Sequence, residues 1–499
     1  MGELEVAAVL YAVIGLCTLI YGWMKSRMLF WRRRGIPYEE PEFLVGNLKD
    51  VGEKKHFYEP LRQVYEKFKG SGPFCGFYML VQPVALVLDL DLAKNILIKD
   101  FQNFENRGVF HNPVDDPLSG NLFNLEDSVW KNLRTKLSPT FTSGKMKQMF
   151  PLVVKVSNDC REVLQDMLKQ SKEVDVKELL ARYTTDVIGS CAFGLECNSL
   201  KDPEAEFRVM NKQMFTKFRH PKLVHAFMHS FPKLAKRLRM QEMLDETNKF
   251  YFRIVRETVE YREKNNVKRN DFMNMMIEMK NSKNDSERLN MKEITANAFL
   301  FFVAGFETSS TTLAFALYEL ARNQKVQEKL RKEIRETLEK YDGEITYECT
   351  QEMRYLEQVI METLRKYSVL PQLQRKAAVD YPTDVPGYVI PKGTMVYIPV
   401  DAIQNDPEIY PEPEKFIPER YDPEEVQKRH SMAWIPFGDG PRNCIGMRFG
   451  KMQVRVLLIS LLRDYRFTLT KNTPVPLGIN VILPLITPEK EVVLNVEKC

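Results

Sequence analysis

One ten-residue run constrains this chain more than any other: Phe437-Gly438-Asp439-Gly440-Pro441-Arg442-Asn443-Cys444-Ile445-Gly446. Its glycines and proline dictate a tight loop rather than a strand or helix. Beyond Gly446 the apolar residues Met447, Phe449, Val454, Leu457, Leu458 and Leu461 recur at helical spacing between Arg448, Lys451 and Arg455, which predicts a helix. The loop therefore delivers the Cys444 thiol to a helix N-terminus, where the helix dipole and free backbone N–H groups favour a thiolate. A lone thiolate held in this way is either a nucleophile or a metal ligand. A nucleophile needs a nearby base such as histidine, and none of the six histidines comes with such a motif.

The other seven cysteines are scattered over the 499 residues without CxxC or zinc-like spacing, which predicts free thiols in a reducing compartment. His220, His225 and His229 have roughly helical spacing but no acidic or cysteine companion in the sequence, and read as a solvated or membrane-facing surface. The net charge of +5 is too mild to imply nucleic-acid binding.

Val6 to Met24 is a 19-residue run without a charge, close to the roughly 20 residues that span a bilayer. Its start is acidic (Glu3, Glu5), Trp23 marks an interface, and Lys25, Arg27, Arg32, Arg33 and Arg34 follow it. These features predict an uncleaved anchor with the body of the protein in the cytosol, rather than a cleaved signal or a mitochondrial presequence. The division predicted is an anchor over 1–24, a basic, proline-containing linker over 25–41 and one large domain over 42–499. A second apolar stretch, Ile294 to Tyr318, has only 13 uncharged residues before Glu307 and an N-terminal cap at Asn290 and Glu293, so it reads as a buried central helix. Around it the sequence predicts a mainly α fold with a smaller β-rich region. A hairpin is expected about Gln82-Pro83, strands at Tyr388–Ile390 and Thr394–Pro399, and a β-rich tail over Arg466–Val496.

Four motifs carry chemistry. The central helix holds Ala304-Gly305-Phe306-Glu307-Thr308-Ser309. A mid-helix glycine destabilises by about 1 kcal/mol relative to alanine and needs a reason, either the close approach of something flat or a packing notch. Glu307 and Thr308 set a carboxylate beside a hydroxyl, a pair able to relay protons. Glu362-Thr363-Leu364-Arg365 is a helix ion pair at i and i+3, but Glu328-Lys329-Leu330-Arg331 has the same spacing; the first gains weight from Arg420, which is placed to complete a buried cluster. Trp130 and Arg134 share a helix face and together suit an anionic group. Arg442, in the cysteine loop, is placed to bind another carboxylate.

The order of these motifs and the full match to F-x-x-G-x-R-x-C-x-G resemble a cytochrome P450, most closely the microsomal family 6 detoxification enzymes of insects. The resemblance runs from the anchor to the end of the chain. It implies the P450 fold behind one N-terminal anchor helix, and haem b with Cys444 as the proximal ligand to the iron. It also implies haem-propionate contacts from Trp130, Arg134, Arg442 and, on a looser motif, Arg375. Glu362, Arg365 and Arg420 match the triad that braces the cysteine loop, and Glu307 and Thr308 match the acid–alcohol pair of oxygen activation. Tyr421 departs from the common phenylalanine, and the proline hinge is thin, with Pro37 and Pro41.

The activity implied is a monooxygenase that inserts one atom of O2 into a lipophilic substrate: insecticides, plant toxins, hormones or other endogenous lipids. Its electrons would come from an NADPH-cytochrome P450 reductase, with cytochrome b5 as a further partner, at the endoplasmic reticulum membrane with the catalytic domain on the cytoplasmic side. Lys131, Arg448 and Lys451 are candidates for docking the reductase. Phe110, Phe123, Phe301, Ala304, Leu370 and Leu373 are candidate pocket residues under the resemblance and core residues otherwise. Phe207 to Gln241 has nine Lys or Arg and no acid, interleaved with Phe215, Phe218, Phe227 and Phe231, and suits either an anionic membrane surface or solvent. Two rivals stay open: a haem-thiolate isomerase or dehydratase acting on peroxides without a reductase, and a non-catalytic haem sensor.

Overall fold

The computed structural model describes residues 2–285 and 287–499; the side chains of residues 2–4, 211, 215, 222 and 223, and with them Glu3 and Phe215 of the patterns above, lie outside the described residues. The fold is mainly helical around one long central helix, Met291–Arg322. Asn290 and Glu293 close a capping box at its start, which satisfies two of its free N–H groups. The helix is apolar nearly all round because it is wrapped by others, above all by Val176–Ile188. Among the described residues two stretches pass as membrane spans by length and composition. The apolar window in Glu5–Met28 is 0% buried, whereas the window in Met291–Arg322 is 67% buried, which fits a core helix. The first belongs to the exposed helix Gly2–Met28, a candidate membrane anchor. Its last residue, Met28, and then Trp31 and Ile36 are buried in the body.

The main sheet has four strands: β1 (Phe74–Met79), β2 (Gln82–Val87), β4 (Leu373–Lys376) and β7 (Met395–Ile398), in the order β1-β2-β7-β4. β1 and β2 form the expected hairpin, but its turn is Leu80-Val81, not Gln82-Pro83. Leu80 takes φ 55° to make that turn. Pro83 instead pairs with Tyr78 one residue before β2 begins its parallel ladder with β7 at Val84, so its missing N–H breaks nothing in that ladder. β5 (Tyr381–Pro382) and β6 (Val389–Ile390) form a small hairpin. The tail is less β-rich than its pattern suggests. Only its ends are strands, β8 (Tyr465–Leu469) and β9 (Val493–Lys498), which join β3 (Glu173–Asp175) in a three-stranded sheet. Pro474, Pro476, Pro484 and Pro488 lie between them and withhold the N–H groups a ladder needs.

Candidate functional site

The cysteine loop folds back on itself. Cys444 N–H donates to Phe437 O at 2.8 Å, Asn443 N–H to Gly440 O at 3.0 Å, and Gly440 N–H to the Asp439 carboxylate at 2.7 Å. Gly440 has φ +69° and a Cβ there would sit 1.9 Å from Leu97 O, so only glycine fits. The predicted helix follows as Met447–Leu462. Cys444 is exposed, yet burial raises its thiol pKa. A residue with open surface that is nevertheless walled in by protein lines an internal cleft. The Gly446 N–H and the charges of Arg134 and Arg107 pull the thiol back toward thiolate, but the helix start does not outweigh desolvation, contrary to the sequence argument. A coordinated cation would deprotonate the thiol outright.

The central helix opens onto a cleft as well. Ala304 is exposed and Val303, Gly305, Glu307 and Thr308 are half-buried, between the buried runs 294–299 and 309–321. The helix after Cys444 is tied to this segment, since Gln453 Nε2 donates to Gly305 O at 3.1 Å and to Ser309 Oγ at 2.7 Å. Gly305 itself is a packing notch: a Cβ would lie 2.7 Å from Ile188 Cδ1. The residue that meets the cleft is Ala304, so the close approach weighed for Gly305 does not account for it.

Four arginines gather at the cleft. Arg134 donates from Nη1 to Asn443 O at 3.0 Å and from Nη2 to Asn443 Oδ1 at 2.8 Å, gripping the residue before Cys444. Arg442 stacks 4.0 Å from the Trp130 ring centroid and gives Nη2 to Leu125 O at 2.8 Å, while its Nε and Nη1 have no partner. Arg375, on β4, gives Nη1 to Gln374 O at 2.8 Å and leaves Nε without one. Arg107 donates to Phe123 O at 3.0 Å and to Arg442 O at 3.1 Å. None of the four pairs with a carboxylate among the described residues. Burial lowers Arg442 to about 9, helped by Arg375, and lowers Arg375 to about 10. Arg107 is lowered well below its ordinary value by burial and by the other three guanidinium groups. Clustered cations with unpaired N–H groups are unfavourable in a folded chain unless an anion joins them. The donor set therefore fits a flat, dicarboxylate cofactor whose metal takes the Cys444 sulfur. Arg107 escaped the sequence reading because it lies in an irregular loop without a motif; its only local signal is a single basic residue between Asn106 and Gly108.

Glu307 and Thr308 are neighbours that point to different partners. Burial raises the Glu307 carboxyl, and Lys177, Arg208 and a hydrogen bond from Thr311 offset this in part. Thr308 Oγ1 donates to Ala304 O at 2.7 Å.

Beneath the loop, Glu362 binds Arg365 through two hydrogen bonds of 2.7 and 2.9 Å and Arg420 at 3.3 Å, with all three side chains buried. Arg365 then donates to Gln404 O at 3.0 Å, and Gln404 Oε1 accepts from Ile435 N–H at 3.0 Å, just ahead of Phe437. The brace thus reaches the cysteine loop through Gln404, which carries no sequence signal beyond its burial. The look-alike Glu328–Arg331 is a loose 3.9 Å contact between an exposed carboxylate and a buried guanidinium.

The pocket candidates divide. Phe301 packs between Phe141 and Phe272 in the core, and Phe110 is buried with Met228 and Ala235. Ala304 and Phe123 are exposed, Leu370 is half-buried and Leu373 is nearly covered. Lys451 is not free for docking, because Glu357 holds it at 2.7 Å; Lys131 and Arg448 are exposed.

The sequence model of the family Cytochrome P450 matches residues 36–496. The chain is 50% identical over 498 residues to "Probable cytochrome P450 6a21" of Drosophila melanogaster, covering 98% of each chain. It is 50% identical over 489 residues to "Cytochrome P450 6a9" of the same organism, covering 96% of each. It is 46% identical over 495 residues to "Cytochrome P450 6A1" of Musca domestica, covering 98% of this chain and 97% of the relative.

Proposed function

The chain belongs to the cytochrome P450 family, a haem-thiolate monooxygenase and oxidoreductase that binds haem b through a cysteine thiolate, and on that premise we propose how its own residues carry the chemistry. Cys444 would hold the haem iron through its thiolate. Trp130, Arg134, Arg375 and Arg442, joined by Arg107, would hold the propionates. The observation that carries this reading is the convergence of four guanidinium groups, three of their nitrogens unpartnered, with no acid among the described residues paired to them beside the cysteine loop.

Haem, when bound, supplies oxygen activation, with the thiolate pushing electron density toward the iron. The residues do the rest. Arg134 fixes the Asn443 peptide and so the height of the cysteine loop. Arg365 and Gln404 brace the same loop from below. Burial keeps a proton on the Glu307 carboxyl to higher pH, and the Thr308 hydroxyl, held on Ala304 O, passes protons at the open face of the central helix. Ala304 leaves room for substrate there.

The substrates are lipophilic foreign compounds such as insecticides or plant toxins, or hormones and other endogenous lipids. Electrons come from an NADPH-cytochrome P450 reductase that meets the exposed Lys131 and Arg448, with cytochrome b5 as a further donor. Residues 1–24 anchor the chain in the endoplasmic reticulum membrane, 25–41 link it, and 42–499 work on the cytoplasmic side. One contact and one exposed side chain support a membrane-facing entrance: Trp23 of the anchor helix lies 6.1 Å from Phe231 between ring centroids, and Phe218 of the same basic segment is exposed. The test is reconstitution with reductase and a lipophilic probe. Product must require NADPH, O2 and reductase together; equal turnover without reductase would overturn the reading.

A further inference from the structure

The helix Lys222–Ser230 carries His225 and His229 on one face, with their rings stacked at 4.6 Å between centroids and 23° between planes. Opposite them stands Glu242, the first acid after the basic segment. Its Oε1 lies 2.8 Å from His225 Nε2 and 3.5 Å from His229 Nε2, and the three ligand atoms all fall within 4.8 Å of one another. The sequence shows no such companion because Glu242 is brought back by the intervening helix Pro232–Arg237.

Two features set this cluster apart from an ordinary His–Glu pair. Two ring nitrogens converge on one carboxylate oxygen, and only His225 is bonded to it; His229 Nε2 is buried without a hydrogen-bond partner. Glu242 is also held in place independently of the histidines. The buried Asp116 carboxylate accepts from the N–H groups of Glu242 at 2.9 Å and Met243 at 3.1 Å, Arg219 donates to Met243 O at 2.8 Å, and Gln241 donates to Asp115 O at 2.7 Å. Ligand atoms about 2.1 Å from a tetrahedral cation sit about 3.4 Å apart, which the observed separations bracket. Two imidazoles and a carboxylate are the donors of a borderline cation such as Zn2+, whereas Mg2+ and Ca2+ prefer oxygen alone.

The geometry points to a Zn2+-class divalent-cation site formed by His225, His229 and Glu242, with its remaining coordination position open to solvent. Bound there, the cation clamps the helix 222–230 to the segment 241–243 and, through Asp115 and Asp116, to the loop that carries Phe110, whose ring is 6.3 Å from that of His229. The site stands on its own geometry and does not depend on how the haem is held.

The experiment titrates Zn2+ alone into the full-length haem-loaded protein against a chromophoric zinc chelator. It compares the wild type with His225→Ala, with Glu242→Gln and with the control His430→Ala, whose histidine contacts Asp91 elsewhere. Haem content reports folding, and the two test variants lie on separate segments, so a misfolded one leaves the other to decide. The wild type and the control should bind one more equivalent than either test variant, or bind it at least about tenfold more tightly. Zn2+ should also slow amide exchange across 222–243 in these two proteins only. Equal stoichiometry and affinity in the wild type and a folded test variant would overturn the site.

Discussion

Arg442 lays its guanidinium over the Trp130 indole, 4.0 Å from the ring centroid, and still leaves two of its three nitrogens without a hydrogen bond. The stack is worth about 0.5–2 kcal/mol. Each unpartnered buried N–H costs about 1–3 kcal/mol. The indole therefore aims the guanidinium at something rather than satisfying it, and Arg375, with its own bare Nε, is close enough to depress Arg442 further.

Arg442→Gln should weaken haem retention about ten- to a hundredfold, since a hydrogen bond to a charged group contributes about 1.5–3 kcal/mol. The haem-free variant should unfold no earlier than the haem-free wild type, because the change removes a buried unpaired charge. Haem titration and thermal unfolding of both forms check this. An equal loss of stability in both forms would make Arg442 a purely structural residue.

For Glu307, burial raises the folded-state carboxyl above its ordinary value of 4.5. Folding therefore favours the protonated form, and that stabilisation is complete below 4.5 and is lost as pH rises through the folded value. Glu307→Gln, neutral at every pH, should gain in thermal stability on the wild type as pH moves from below 4.5 to neutrality. Turnover should fall on the order of a hundredfold with haem retained. The partner change Thr308→Ala should keep haem and release more peroxide per NADPH. Unchanged coupling would remove Thr308 from proton delivery.

The two Glu-x-x-Arg pairs give opposite expectations. Glu362→Gln strips a buried cluster of its only carboxylate and should destabilise by about 3–5 kcal/mol, with haem loss. Glu328 is 59% exposed, and Glu328→Gln should change denaturant unfolding by less than about 0.5 kcal/mol.

Much of this was readable in the sequence wherever chemistry depends on neighbours along the chain. The glycine-pinned loop before Met447, the Asn290–Glu293 cap and the Trp130–Arg134 helix face are all local patterns. What stayed hidden depends on tertiary placement. Arg107 and Gln404 reach the cysteine loop from segments far away in sequence, with no periodic signal to mark them. Glu242 meets His225 only because a short helix turns the chain back. The hairpin turn was misplaced because Pro83 is the stronger local signal, while Leu80 accepts a left-handed backbone that its side chain does not advertise.

Gly305→Ala tests the packing notch. The new methyl meets Ile188 Cδ1 and should destabilise by about 1–3 kcal/mol. Adding Ile188→Val removes that δ carbon and should recover part of the loss, so the double variant departs from additivity. Additive losses would show that the two residues do not compete for the same space.

The central claim is that Cys444 is the thiolate on the iron. Its most direct test is the spectrum of the reduced, carbon monoxide-bound protein in Cys444→Ser, read beside the wild type and Cys349→Ser, a buried cysteine in the first turn of the short helix Tyr347–Glu352. The account predicts that Cys444→Ser alone loses the thiolate signature, even where haem stays bound. A thiolate signature that survives in Cys444→Ser would contradict it.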